Sequence, residues 1–526
     1  MLNLFDRENV EPPPPPEDLT RELPGDGWKL RIDMAPQVLS LSMGEEFTWC
    51  EEEPLAPTCD SHTHFVSASM LAVKAKLFDD GMYAAVELAT QPGKARLLSA
   101  LASMAPRIAA AARLGGSDTP LSEAARSIST DFLANERESK PLGFYTWSDS
   151  LRRIFQQDRL LQQELDPEEV VALVSALNAD PTLATAYGNH LDLVAKLTNP
   201  FVEETPDLRR PDGRWFFPAS RSHESTLTNR LYGDRPIPEG FSLADELVAQ
   251  LISGGITLNP TPESGWYDLQ TWALEPLVLL DRMPESAKVA TNHEYRAELR
   301  NVFKAVIALT RETHVKQVHT PCPGMACPGE RPKIVPVSPA LSVEPIRSYY
   351  LRRAEGYEFV RKVLERVAPL KTMRRVTADG PARRPLDEEL DDMITLFGDA
   401  AAVAGYEIGL SPVTGSQLNS FRSWAKAPDI RHDIRMMVPV FYDVERKRTK
   451  VWAVLGWTTR YLTAKFKTPP GVTFLRGSGR VEFKGDSYPV AAPVFAETYV
   501  GRLLDRNEFR AHCDRYKTKE RILQSL

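Results

Sequence analysis

Cysteine is scarce in this chain. Five in 526 residues (Cys50, Cys59, Cys322, Cys327 and Cys513) are too few and too scattered for a disulfide framework, which suits a reducing compartment. Long apolar runs are missing as well. A spanning helix needs roughly 20 uncharged apolar residues, and even the stretch Ala305 to Thr310 is hemmed in by Lys304 and Arg311, so no membrane span is expected. The first thirty residues offer only Met1 to Phe5 before charges and prolines begin. That is not the apolar core of a signal peptide, so a cytoplasmic location is expected, or an exported one if a leader has been removed. No phosphate loop, dinucleotide fingerprint, His-Glu-x-x-His or kinase motif set is present, and Gly477-Ser478-Gly479 lacks the spacing of a nucleophile elbow. The common linear cofactor signatures are therefore excluded.

What is present is ordinary globular material. With 42% hydrophobic and 26% charged residues the chain can bury a sizeable core, and its length suggests two or three domains. The net charge of −7 is unevenly spread: residues 421 to 526 carry 21 Lys/Arg against 11 Asp/Glu, a local +10 that leaves −17 on the remainder. The basic residues are dispersed through strand-like sequence with acids among them. Docking on the chain's own acidic body is therefore expected rather than nucleic-acid binding.

The fold class expected is mainly α, with a smaller C-terminal strand-rich (α+β) module. Residues 1–30 read as a proline-rich tail or linker, since VEPPPPPEDL favours an extended polyproline II segment. Residues 31–425 read as a helical body. Within it, MLAVKAKLFDDGMYAAVELA and KARLLSALASMAPRIAAAARL show helical periodicity on either side of the breaker Gln91-Pro92-Gly93. Asp166-Pro167 and Asp180-Pro181 each place an N-cap oxygen before a proline at the first helical position. Long helices are expected from about Glu294 to Lys316 and from near Pro345 to Val367. Residues 199–241, rich in proline, glycine, arginine and aromatics, have no sustained period. Residues 426–526 read as the basic module: MMVPVFYDV and KVWAVLGW as one hairpin, GVTFLR and RVEFKG as a second, and a closing helix over about Arg506 to Leu523.

Two clusters could hold a metal ion. His314, His319, Cys322 and Cys327 offer imidazole and thiolate within fourteen residues, a set that suits structural zinc. Positions five apart on a helix lie about 140° apart round its axis, so His314 and His319 could share an ion only if the helix ended between them. His314 also extends the buried stripe of its helix as a core histidine would, and the cysteines could equally be free thiols or a disulfide. In the second cluster, Asp60, His62 and His64 have the Asp-x-His-x-His spacing seen in amidohydrolase-like barrels, but EEEPLAPT precedes them instead of a buried strand. Imidazoles satisfied within a turn account for that segment more simply. The aromatic segments GFYTWS, GRWFF and GWYDLQTW could line a pocket; filling the core is the plainer reading.

Taken together, LTRETHVKQ, VSPALSVEPIRSYYLRRAEGYEFVRKVLE, MMVPVFYDVERKRTKVWAVLGW, RGSGRVEFKGDSYPVAAPVFAETYV and RLLDRNEFRAH resemble, in order and spacing, the bacterial family catalogued as domain of unknown function 3160. GFYTWSDSLRRIFQQDR and FVSASMLAVKAKLFDDGMYAAVE extend the resemblance towards residue 60. It implies a helical body with a strand-rich C-terminal part and no established reaction. Many such proteins look exported or lipid-anchored, unlike this start, and CPGMACPG looks unlike the family. The function expected is that of a soluble binding or scaffold protein recognising a protein or polymer through residues 199–241. The alternative is a hydrolase, with zinc as its candidate metal, using His62 and His64 or the cluster from His314 to Cys327. The sequence sets no oligomeric state.

Overall fold

The computed structural model describes residues 21–22, 29–30, 38–43, 48–49, 65–201, 207–210, 213–233, 235–316, 341–425, 433–467, 475–476, 479–480, 486–516 and 518–526. The polyproline segment, His62, His64, His319, Cys322 and Cys327 lie outside them. The described residues form sixteen α-helices. The first seven are α1 (Ala68–Leu101), α2 (Pro106–Leu114), α3 (Glu123–Ala134), α4 (Glu136–Ser139), α5 (Asp149–Leu161), α6 (Pro167–Ala179) and α7 (Pro181–Leu197). Then follow α8 (His223–Tyr232), α9 (Leu243–Ser253), α10 (Trp266–Leu279), α11 (His293–Thr313), α12 (Arg347–Leu364), α13 (Leu386–Glu407) and α14 (Gly415–Trp424). Helices α15 (Arg506–Arg515) and α16 (Lys519–Ser525) close the chain. No helix among the described residues is long and apolar enough to cross a membrane.

Twelve strands accompany them: β1 (Arg21–Glu22), β2 (Lys29–Leu30), β3 (Val38–Met43), β4 (Thr48–Trp49), β5 (Val289–Thr291), β6 (Val376–Thr377) and β7 (Gly380–Pro381), then β8 (Met436–Asp443), β9 (Arg448–Lys467), β10 (Leu475–Arg476), β11 (Gly479–Arg480) and β12 (Asp486–Val500). Both expected hairpins form, β8 with β9 and β10 with β11. β9 is the spine of the main sheet. It pairs antiparallel with β12 along most of its length, with β8 at its start, and with β3 at its end. β3 in turn pairs parallel with β5. The sheet thus extends beyond the C-terminal segment, because the second half of β9 takes its partner from residues 38–43.

Burial on both faces explains the unbroken apolar run Val451 to Leu455. Trp452 and Val454 face the main helical core, while Val451, Ala453 and Leu455 pack with Phe509, Cys513 and Ile522 of α15 and α16. Glu497 of β12 ties the layers together: its carboxylate accepts the Leu243 and Ala244 N–H groups at the start of α9 (2.7 and 2.9 Å) and the Trp452 indole N–H (2.8 Å). The register of β12 and β8 shifts at Pro493 and Pro439, where no N–H is available for the ladder.

Two expectations fail locally. The breaker Gln91-Pro92-Gly93 does not end a helix; α1 runs through it for 34 residues. An internal proline costs about 3 kcal/mol, and burial on both sides outweighs it: Val86 and Glu87 before the breaker, and Lys94, Leu97, Leu98 and Leu101 after it, are all buried. The closing helix is two helices, because Tyr516 turns extended (φ −123°, ψ 128°) and Thr518 starts α16 with its own cap. The Asp166 capping box and the Asp180 cap form as the sequence indicates.

Because β3 and β5 complete the sheet, residues 426–526 expressed alone should give a poorly dispersed amide NMR spectrum and no cooperative thermal transition. A sharp, dispersed spectrum from that fragment would show that the module folds without its partners.

Candidate functional site

Helix α1 is apolar enough to be buried, yet it carries Lys76, Asp79, Asp80, Glu87 and Lys94 into the interior at helical spacing. They meet a second buried polar run, Arg311, Glu312, Thr313 and His314, where α11 ends. The last carbonyls of a helix carry partial negative charge, so cations are favoured there. Lys76 Nζ lies 2.5 Å from Asp80, 3.0 Å from Glu312 and 3.0 Å from Thr313 Oγ1. Arg506 of α15 pairs with the same Glu312. One turn along, Asp79 accepts from Gln270 (2.8 Å), Arg353 (3.0 Å) and Tyr357 (2.7 Å). Arg311 and Tyr267 share Glu224 at 2.6 and 2.8 Å.

The far end of the web is a four-charge cluster. Lys94 donates to both oxygens of Asp158 at 2.7 Å, Lys316 pairs with Asp158 at 2.5 Å and with Glu87, and the Tyr145 hydroxyl donates to Glu87 at 2.9 Å. Tyr145 reaches this position through a tight turn at Gly143 (φ 56°), where a Cβ would lie 3.2 Å from the Glu312 carbonyl oxygen. The web as a whole holds six cations (Lys76, Lys94, Arg311, Lys316, Arg353, Arg506) and six carboxylates (Asp79, Asp80, Glu87, Asp158, Glu224, Glu312).

Local charge sets the proton affinities. Burial alone would raise Asp158, but Lys316 and Lys94 hold it down at about 2. Burial likewise works to raise Glu312, and Arg506 and Lys76 keep it below the usual carboxylate range. At Asp79 burial prevails and the carboxyl is raised in spite of Arg353. His190, beside the four-charge cluster, is pushed down to about 3 by burial and by Lys94. Its Nε2 is sealed without a partner among the described residues.

His314 alone of the candidate metal ligands lies within the described residues. It is buried in a box of Tyr83, Trp266 and Tyr267, with ring centroids 5.2 to 5.5 Å away, and its Nε2 lies 2.7 Å from Gln270 Oε1. Helix α11 does end just before it. Among the described residues no group of three His, Cys, Asp or Glu side chains is placed to hold a metal ion. The recess beside His314 and Lys316 has a volume of about 40 Å³, room for a few waters and too little for a substrate.

A larger open space lies at the other end of the web. A groove of about 1050 Å³ runs between α1, the β6–β7 hairpin, α13, α14 and α15. Trp147 and Trp424 are half-buried in it, backed by buried Phe78 and Phe421, with Asp399 and Asn507 on its walls. Most of the aromatics singled out in the sequence fill core: Phe144, Tyr145, Phe216, Phe217, Trp266 and Tyr267 are buried, and Trp147 is the one that opens onto this groove. Trp424 and Phe421 escaped the sequence reading; their signal is an aromatic pair at i, i+3 near a helix end. The arginines of residues 199–241 lie at the surface with partners on the chain itself: Arg209 with Asp207, Arg214 with Glu164, Arg230 with the Gly255 carbonyl. A second groove of about 770 Å³ lies beside that segment. In it His223 Nε2 is 3.4 Å from Asp268, which accepts from Ser264 at 2.8 Å.

Comparison of the sequence with protein-family models and with curated proteins, and of the structure with solved structures, returned no match.

Two outcomes follow from the web. Asp158→Asn leaves Lys94 and Lys316 short of a countercharge and should cost about 3–5 kcal/mol in denaturant unfolding; a loss below about 1 kcal/mol would show that the cluster is solvated. Acid should also weaken the fold in two windows. His190 binds a proton near pH 6.5 when unfolded and near 3 when folded, so its contribution is present above about 6.5 and falls by up to about 1.4 kcal/mol per unit as pH drops towards 3. The Asp158 contribution is present above about 4 and is lost as pH falls towards 2. His190→Phe should flatten the stability profile between about pH 6 and 4, as read by urea unfolding; a profile parallel to the parent's would contradict this.

Proposed function

We propose that this chain is a binding protein of the family its second half resembles, domain of unknown function 3160, and that it holds a neutral, hydroxyl-rich oligomer such as an oligosaccharide in the groove between α13, α14 and α15. The observation that carries this reading is the pairing of Trp147 and Trp424 with walls whose guanidinium groups are already matched. Arg375 makes two 3.2 Å bonds to Glu389, Arg510 pairs with Asp433 at 2.8 Å, and Arg506 pairs with Glu312. An anionic ligand would have to displace these pairs. An uncharged one can stack on the indoles and exchange hydrogen bonds with the polar walls. Burial lifts the Asp399 carboxyl above its ordinary range against hydrogen bonds from Ser420 and Gln417. The described part of residues 199–241 lies outside this groove, and Arg221, His223 and Arg230 line the second one.

Titration calorimetry of the full chain with neutral gluco-, xylo-, manno- and chito-oligosaccharides should find one series that binds saturably. Trp424→Ala should weaken it about tenfold, the loss of roughly one stacking contact. Heats of dilution alone for every series, or unchanged affinity in the variant, would sink the reading.

A second reading, a hydrolase, is favoured by the His223–Asp268 pair. Burial would lower His223, but the hydrogen bond and charge of Asp268, with Glu224 and Glu275 behind, raise it, as suits a general acid–base group. Release of nitrophenol from ester or phosphate substrates, abolished in His223→Gln, would support it; parental inactivity on both classes would remove it.

A further inference from the structure

A third recess, of about 280 Å³, differs from both grooves in its charge. Arg137 and Lys140 reach it from the start and end of α4, Lys447 from the β8–β9 turn, and Arg502 from the chain leaving β12. Glu136 is the one carboxylate residue on its lining. Thr449 and Asn135 add polar groups.

The cations are held in different ways. The Arg137 guanidinium lies 4.0 Å over the Tyr442 ring in a cation–π contact. Its nearest carboxylate, Glu138, is 3.5 Å away and is also bound by Arg159. Lys140 (2.8 Å) and Arg502 share a single carboxylate, Glu508, which also accepts the Asp505 N–H at 2.8 Å. Positive charge is thus in excess. Lys447 has no partner among the described residues, and its φ of +50° is in the left-handed region. A hairpin turn at that position ordinarily takes glycine or asparagine, because a Cβ there is strained. Lys447 nevertheless stands there, on the lining of the recess.

We infer that this recess is a binding site for a small tetrahedral oxyanion, a phosphate or sulfate group, held by Arg137, Lys447 and Arg502 with Lys140 behind. Planar guanidinium donors match the oxygens of such a group, and its double charge is what the excess of cations requires. The site is independent of the oligomer groove and of the His223 pair.

The test uses the full chain and calorimetry at constant ionic strength, with inorganic phosphate, inorganic sulfate, glycerol phosphate and chloride as probes. Saturable one-to-one binding of an oxyanion is expected, with chloride silent. Binding of the free ions marks them as the occupant, whereas binding of glycerol phosphate alone marks a phosphate ester; either supports the site. Lys447→Gly separates binding from folding. It relieves the positive φ, so the melting temperature should hold or rise, while oxyanion affinity should fall at least about fivefold. Arg137→Gln should weaken binding similarly. No saturable binding to the parent, equal response to chloride, or unchanged affinity in both variants would overturn the inference.

Discussion

The structure depends on a buried charge web that must balance. Removing an ion from water costs several kcal/mol, repaid only where a partner stands within hydrogen-bond reach. Six cations and six carboxylates meet that condition around α1 and the end of α11. Because the partners come from α1, α5, α8, α11, α12 and α15, their pairing fixes how the helical body and the C-terminal segment sit together. An apolar interface of the same area would tolerate sliding; point charges with directional hydrogen bonds do not.

That constraint also shapes the groove. Arg506 begins α15, one of its walls, and is tied to Glu312. Tyr145 is tied to Glu87, which sets the position of Trp147 two residues on. On the opposite side α1 approaches the β6–β7 hairpin so closely that a Cβ at Gly81 would lie 2.3 Å from the Val376 carbonyl oxygen. Two walls of the groove are therefore set by contacts of the buried web.

Much of the fold was legible because local chemistry decides it. Asp166 and Asp180 cap helices whatever surrounds them, and the alternation in Met436 to Asp443 with the charged turn that follows admits little but a hairpin. The pairing of β3 with the end of β9 was not legible, since it joins segments more than 400 residues apart and VLSLSM is apolar enough for many roles. Nor was the web: Lys76 and Asp80 at i, i+4 look like an exposed helix pair, and only the packing of α11 and α15 around them shows otherwise. His314 was visible both as a core histidine and as a metal ligand, and it lies in an aromatic box against Gln270. Trp147 and Phe144 share one short motif, and which of them opens onto a groove is decided by α13 and α14, far along the chain.

The most direct test of the web as the organising element is a double-mutant cycle across the link between body and C-terminal segment, Arg506→Met and Glu312→Leu, read by equilibrium unfolding of the full chain. A coupling energy of about 2 kcal/mol or more, with the double variant recovering part of what each single variant loses, is the predicted result. Additivity within about 0.5 kcal/mol would show that the two charges act independently and that the body and the sheet are held together by other means.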